Sequence, residues 1–226
     1  MWYFAAGLDL EKGEEKMKYG LLPRGIWLIF SRSFQVALAD VLQEPAPALV
    51  MKKAKRNYRS ILSGVNEFDH DDRFVINIIS CAMLAAVLQS VENPYEVSEI
   101  QAYYEAAMDT PIMRFFATHS GVYTVKGQAS MKRRAERSRE ITNPYSWKFT
   151  YEPGITVNQY SAIFSSCGIC HLMQELGLSQ YVPAMCAFDY AMNAMDDTKF
   201  SRKYTLASGG PCCDCHYSHS NSKNLN

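Results

Sequence analysis

The chain has 226 residues, 48% of them hydrophobic, and 23 basic side chains balance 23 acidic ones. That content suffices to bury a core without disulfides. The balance leaves no global field to recruit nucleic acid or an anionic membrane surface, so no nucleic-acid or membrane partner is expected.

The first twenty residues carry no basic segment ahead of an apolar core, and acidic residues begin at Asp9. They do not read as a secretory signal, and a cytoplasmic location is expected. Ser33 to Leu42 has helical apolar spacing and stops before Pro45 and Pro47. Ala48 to Leu62 resumes it with a basic outer face that includes Lys52, Lys55 and Arg59. Phe74 to Ser90 is apolar on nearly every side and reads as a buried helix, with Cys81 as a small core residue. Asn77, Ser80 and Cys81 interrupt it, and it falls short of the roughly 20 residues of a spanning helix. Pro94 is placed in the first turn of a helix running to about Met108, and Asp109-Thr110-Pro111 opens a short one.

Gly121 to Gly127 is read as a short strand, and Met131 to Ile141 as a charged helix. Lys132, Arg133, Arg134, Arg137 and Arg139 form its solvated face. Beyond Pro144 the period shortens to that of strands at Trp147 to Tyr151 and Tyr160 to Ser165. Ile169 to Leu176 is a helix closed by Gly177, and Pro183 to Met195 is another. Arg202 to Leu206 and Cys213 to Tyr217 are read as strands joined through Ser208-Gly209-Gly210-Pro211. The residues after Tyr217 are polar and read as a disordered tail. The expected architecture is a single α+β domain: a mainly helical part over residues 1–145, then a small antiparallel sheet with two inserted helices.

Six of the seven cysteines fall after residue 166. Without an export signal they do not read as a disulfide framework. Cys167 ends a strand, Cys186 and Asp189 share one helix face, and Cys213 and Asp214 open the last strand on opposite sides. A strand end, a helix face and a strand start can meet at one point. Soft-metal binding is a second reading of the same residues. Cys167, Cys186 and Cys213, with Cys170 or His171 added, offer donors suited to zinc or an iron–sulfur cluster. The spacing matches no standard zinc pattern, because Cys167-x-x-Cys170 has no second such pair. Cys167 to His171 also spells a haem attachment string, which the lack of an export signal argues against.

Cys167, Gly177, Cys186-x-Phe188-Asp189, the run Arg202 to Gly209 and Cys213-Asp214 together resemble the closing motif of the L-2-amino-thiazoline-4-carboxylate hydrolase family. Cys215 stands where that family usually has phenylalanine. The resemblance implies an enzyme that opens a small cyclic isothiourea or amidine-like amino-acid derivative to a carbamoyl-cysteine, with no cofactor. Such chemistry needs a nucleophile at the amidine carbon, an acid for the departing ring nitrogen and a cation for the substrate carboxylate. Cys186 and Cys213 are the candidate nucleophiles, and Asp189 and Asp214 the candidate proton carriers. Arg202 is the candidate carboxylate clamp, with Thr205 and Gly209 as further substrate contacts. Each has a packing alternative: a helix core residue for Cys186, a turn acceptor for Asp214, a surface charge for Arg202, hairpin shaping for Thr205 and Gly209. A non-catalytic domain that binds a small ligand or metal is the competing function. The hydrophobic content leaves room for a homodimer through a helical face.

Overall fold

The computed structural model describes residues 15–220. The reading of the first residues as lacking a secretory signal falls mostly outside them, as does the end of the polar tail. Six helices come first: α1 (Leu21–Asp40), α2 (Pro47–Gly64), α3 (Val75–Leu88), α4 (Val97–Met108), α5 (Pro111–Thr118) and α6 (Val125–Ser138). Strands β1 (Lys148–Pro153) and β2 (Gln159–Ser166) follow, then α7 (Gly168–Glu175) and α8 (Val182–Ala194), and last β3 (Thr198–Ser201) and β4 (Cys213–His219). The architecture is the expected α+β arrangement.

α1 starts twelve residues earlier than its expected boundary at Ser33. Trp27, Phe30, Phe34 and Leu38 form one continuous buried stripe. Pro23 sits in the first turn, where its missing N–H costs nothing. α3 is buried on nearly every side, including Cys81, as its composition predicts. α4 begins after Pro94, not around it, because Glu96 and Glu99 close a reciprocal capping box.

The expected strand at Gly121 to Gly127 is instead a turn into α6. The Thr124 hydroxyl accepts the Gly127 N–H at 3.0 Å and caps the helix. Gly127 packs so close to Gly121 that a Cβ would lie 2.2 Å from the Gly121 carbonyl oxygen. Among the arginines of α6, Arg134 departs from the solvated face: it is half-buried, with its guanidinium 5.1 Å from the centre of the Phe74 ring.

The four strands are antiparallel in the order β1-β2-β4-β3. Register pairs Phe164 with Cys213, Ala162 with Cys215 and Tyr160 with Tyr217. Partners directly opposite share a face, so Cys213, Cys215, Tyr217 and His219 line the inner side with Tyr160, Ala162 and Phe164. α6 and α8 cover that side. Ser138 at the end of α6 pins β1, accepting the Phe149 N–H at 3.1 Å. β4 runs through the buried His219, two residues beyond its expected end and into the expected tail.

β3 precedes its expected position at Arg202 to Leu206. There the backbone leaves the ladder because Asp214 captures the N–H groups of Lys203 and Tyr204. Thr205 then caps a single 3₁₀ turn at Leu206–Ser208. One core joins the helices to the sheet region: Tyr103 and Tyr104 of α4 belong to it together with Trp147, Leu172 of α7 and Phe188 of α8. Among the described residues no helix is long and apolar enough to cross a membrane.

Candidate active site

Three segments bring the cysteines together. The first is the α7 N-terminus, fixed by a close approach: Gly168 lies against the backbone of Tyr145, and a Cβ there would stand 1.8 Å from the Tyr145 carbonyl oxygen. Cys167 therefore occupies the N-cap position with extended backbone, its thiol turned toward the first-turn N–H groups without closing a capping bond. The second is α8, which presents Cys186 and Asp189 on one face. The third is the start of β4, where Cys213 points inward and its sulfur accepts the Leu206 N–H at 3.2 Å.

Arg202, just past β3, ties these together. Its Nη1 donates to Asp189 Oδ2 at 2.7 Å and its Nη2 to the Cys186 carbonyl at 2.9 Å. The Tyr190 and Phe200 rings flank the guanidinium. Its side chain is only 5% exposed, so it is not a surface charge. Burial opposes its positive charge, and the Asp189 carboxylate more than restores it. Asp189 itself is held above the usual carboxylate range, mainly by burial, with Arg202 pulling the other way. Yet 40% of its side chain remains accessible. A carboxylate both desolvated and accessible is walled on most sides and open on one.

The thiols around this pair differ in acidity. Burial pushes Cys186 up to about 12 and raises Cys213 as well, so both are protonated near neutral pH. Cys215 is likewise pushed up to about 12 by burial. Cys167 goes the other way. The Cys170 thiol bonds to it, burial opposes, and the N–H groups of Cys170 and Ile169 assist, leaving its pKa lowered. Cys170 is correspondingly raised. Cys167, Cys170, Cys186 and Cys213 all lie within electrostatic range of one another or of the ion pair.

The remaining expected site residues fall elsewhere. Asp214 faces the outer side of the sheet, opposite Cys213. Its Oδ1 accepts from Tyr204 at 2.6 Å and Lys203 at 3.1 Å, so it shapes the loop after Arg202. Its Oδ2 lies 3.8 Å from His216, which pairs with Ser161 at 2.7 Å on the open face. Thr205 spends its hydroxyl on Ser208, and Gly209 closes the turn at φ +77°, a conformation that glycine adopts freely. His171 turns toward Glu175 and the Tyr145 ring. Among the described residues no three His, Cys, Asp or Glu side chains are arranged to hold a metal ion, so Cys167, Cys186 and Cys213 do not form such a set.

The sequence offered Cys186 and Cys213 as candidate nucleophiles and placed Cys167 in the same site as a candidate metal ligand. Cys167 stands directly before α7, in the position that favours an anion.

An α+β chain with a thiol and carboxylate cluster under a small antiparallel sheet is thereby defined. It belongs to the L-2-amino-thiazoline-4-carboxylic acid hydrolase family, whose sequence model matches residues 76–217, from α3 to β4 and more than half of the chain. No curated protein and no solved structure matches it.

Proposed function

We propose that the chain hydrolyses a small cyclic isothiourea or amidine-like amino-acid derivative of the 2-amino-thiazoline-4-carboxylate type. The family name supports a hydrolase. The observation that carries the reading is the placement of the acidified Cys167 in one cluster with the half-open Asp189–Arg202 pair.

In this reading the Cys167 thiolate bonds to the amidine carbon. The bond from that carbon to one ring heteroatom breaks, and the departing atom takes a proton that Asp189, half-open to solvent, relays from water. Water then bonds to the same carbon, and the bond to Cys167 breaks. One water proton goes to the amidine nitrogen and the other leaves through Asp189, so the carbon becomes the carbonyl of a urea where sulfur departed or of a thiocarbamate where nitrogen departed, and the thiolate and carboxylate are restored. The sum is the addition of one water, with no oxidant or reductant. In this reading Arg202, almost wholly buried and paired with Asp189, holds that carboxylate in place, and the substrate carboxylate is taken elsewhere.

The test is conversion of 2-amino-thiazoline-4-carboxylate to a carbamoyl product, followed by mass spectrometry with a thiol reagent. One new thiol per turnover identifies the ring sulfur as the leaving atom, and a new amine identifies the nitrogen. Cys167→Ser should abolish conversion and Cys212→Ser should not. An unaffected Cys167→Ser rate overturns the role of Cys167. No conversion across a panel of cyclic isothioureas and hydantoins overturns the hydrolase reading and leaves a ligand-binding domain.

A further inference from the structure

Under the inner face of the sheet lies a cavity of about 650 Å³ between α6, α8 and the Gly121 to Thr124 turn, lined by none of the site cysteines and not by Asp189. Its size suits a small metabolite. Tyr160 and Tyr217 form one wall, their rings stacked at 4.5 Å and 13°. Tyr123 continues it, 5.8 Å from Tyr160 between ring centres.

Two polar features face this aromatic wall. Arg134 stands between this cavity and the neighbouring cleft that holds Asp71, Asp72 and Phe74, and lines both. It bonds to Met131 Sδ at 3.4 Å and lies over Phe74, and among the described residues no carboxylate reaches it within ion-pair distance. Burial works against its charge, and Arg73 and Arg137 add repulsion that Asp72 only partly offsets. A partly desolvated guanidinium with no carboxylate in direct contact is the condition that a bound carboxylate corrects. On the α8 side, Asp196 and Thr198 offer acceptors. The Thr198 hydroxyl bonds to Tyr123 at 3.1 Å, and His219 lies 3.7 Å from Asp196.

One turn of α8 separates this cavity from Asp189. Asn193, which lines it, donates to the Asp189 carbonyl at 2.7 Å, one turn along α8. Tyr217 follows Cys213 and Cys215 in the same inward file.

We infer that this cavity binds a small planar carboxylate, with Arg134 taking the carboxylate, the tyrosine wall taking the flat body and Asp196 facing any cationic end. Its assignment as the substrate pocket rests on the hydrolase reading; its assignment as a carboxylate site does not. Arg134 is then the carboxylate clamp that the sequence placed at Arg202.

The test is calorimetric binding to the full chain carrying Cys167→Ser, so that no ligand is consumed. The probes are 2-amino-thiazoline-4-carboxylate and 2-amino-thiazoline, which lacks the carboxylate. The carboxylate probe should bind about tenfold or more tightly. Arg134→Met should erase that preference, and Arg134→Lys should keep part of it. Ser130→Trp, which fills the cavity and leaves Arg134 in place, should block both probes and guards against a folding defect in Arg134→Met. Equal binding of the two probes, a preference that survives Arg134→Met, or no binding at all overturns the inference. Arg134-dependent binding without turnover by the unmodified chain keeps the pocket and removes the hydrolase reading. Turnover indifferent to Arg134 does the reverse.

Discussion

Arg202 reaches Asp189 with one nitrogen and the Cys186 carbonyl with the other, at 2.7 and 2.9 Å. A single guanidinium thereby joins both ends of one α8 turn to the end of β3. Replacing it with methionine keeps most of the volume and leaves Asp189 without its counter-ion. The expected cost is about 2 kcal/mol, below the roughly 3–5 kcal/mol of a fully enclosed pair, because Asp189 remains open to water. Thermal unfolding should shift down by about 4–8 °C. Lysine should not restore it, since a point charge cannot make both contacts. An unchanged transition would show that the pair contributes nothing to the fold.

The same carboxylate sets a pH dependence. Its folded pKa lies above the unfolded value of 3.8, so the folded state holds the proton more tightly. The stability contributed by Asp189 is therefore greatest at acidic pH. It falls as pH rises from 3.8 through the raised folded value, and is level beyond it. Urea titrations of the wild type and Asp189→Asn across that window should differ by a falling curve. A rising difference would contradict the assignment.

Thiol reactivity provides a third test. In a Cys212→Ser background, iodoacetamide near neutral pH should modify Cys167 ahead of Cys170, Cys186, Cys213 and Cys215. Cys170→Ala removes the donor and should slow Cys167 several-fold, whereas Cys170→Ser should preserve the rate. Peptide mapping over time reads both. Modification of Cys186 first would reverse the assignment of the nucleophile.

Two glycines should respond in opposite directions to alanine. At Gly168 the added Cβ meets the Tyr145 backbone, which cannot yield as a side chain would. Gly168→Ala should cost about 3 kcal/mol and displace the α7 N-terminus. Gly25, inside α1, has nothing within 4 Å of such a Cβ, so Gly25→Ala should stabilise by about 0.5–1 kcal/mol. Chemical denaturation of both measures the contrast.

Much of the fold was legible because period and punctuation agree in this chain. The buried helix at Cys81, the Gly177 stop and the β2 strand all follow from local pattern. The errors came where side chains redirect the backbone. Thr124 capping α6 turns an apparent strand into a turn, and Asp214, ten residues beyond Tyr204, pulls the Arg202 segment out of the sheet. Such contacts have no periodicity to read. At the site, the residue types were legible and their surroundings were not. Burial separates Cys167 from Cys186, and neither spacing nor composition reports burial. Arg134 was hidden inside a charged run, since one inward side chain among five cations is indistinguishable until the helix is docked.

The strand order carries a consequence for how the protein is made. β4 is the last of the described elements along the chain, yet it lies inside the sheet, between β2 and β3. While the chain is being synthesised, β2 and β3 wait with open edges, and Cys213 and the hydroxyl wall of Tyr217 are missing. A nascent chain stalled before Cys213 thus has neither a complete sheet nor a pocket, and it presents unpaired strand edges to its neighbours. The cluster of thiols around Asp189 is complete only once translation has passed Cys213.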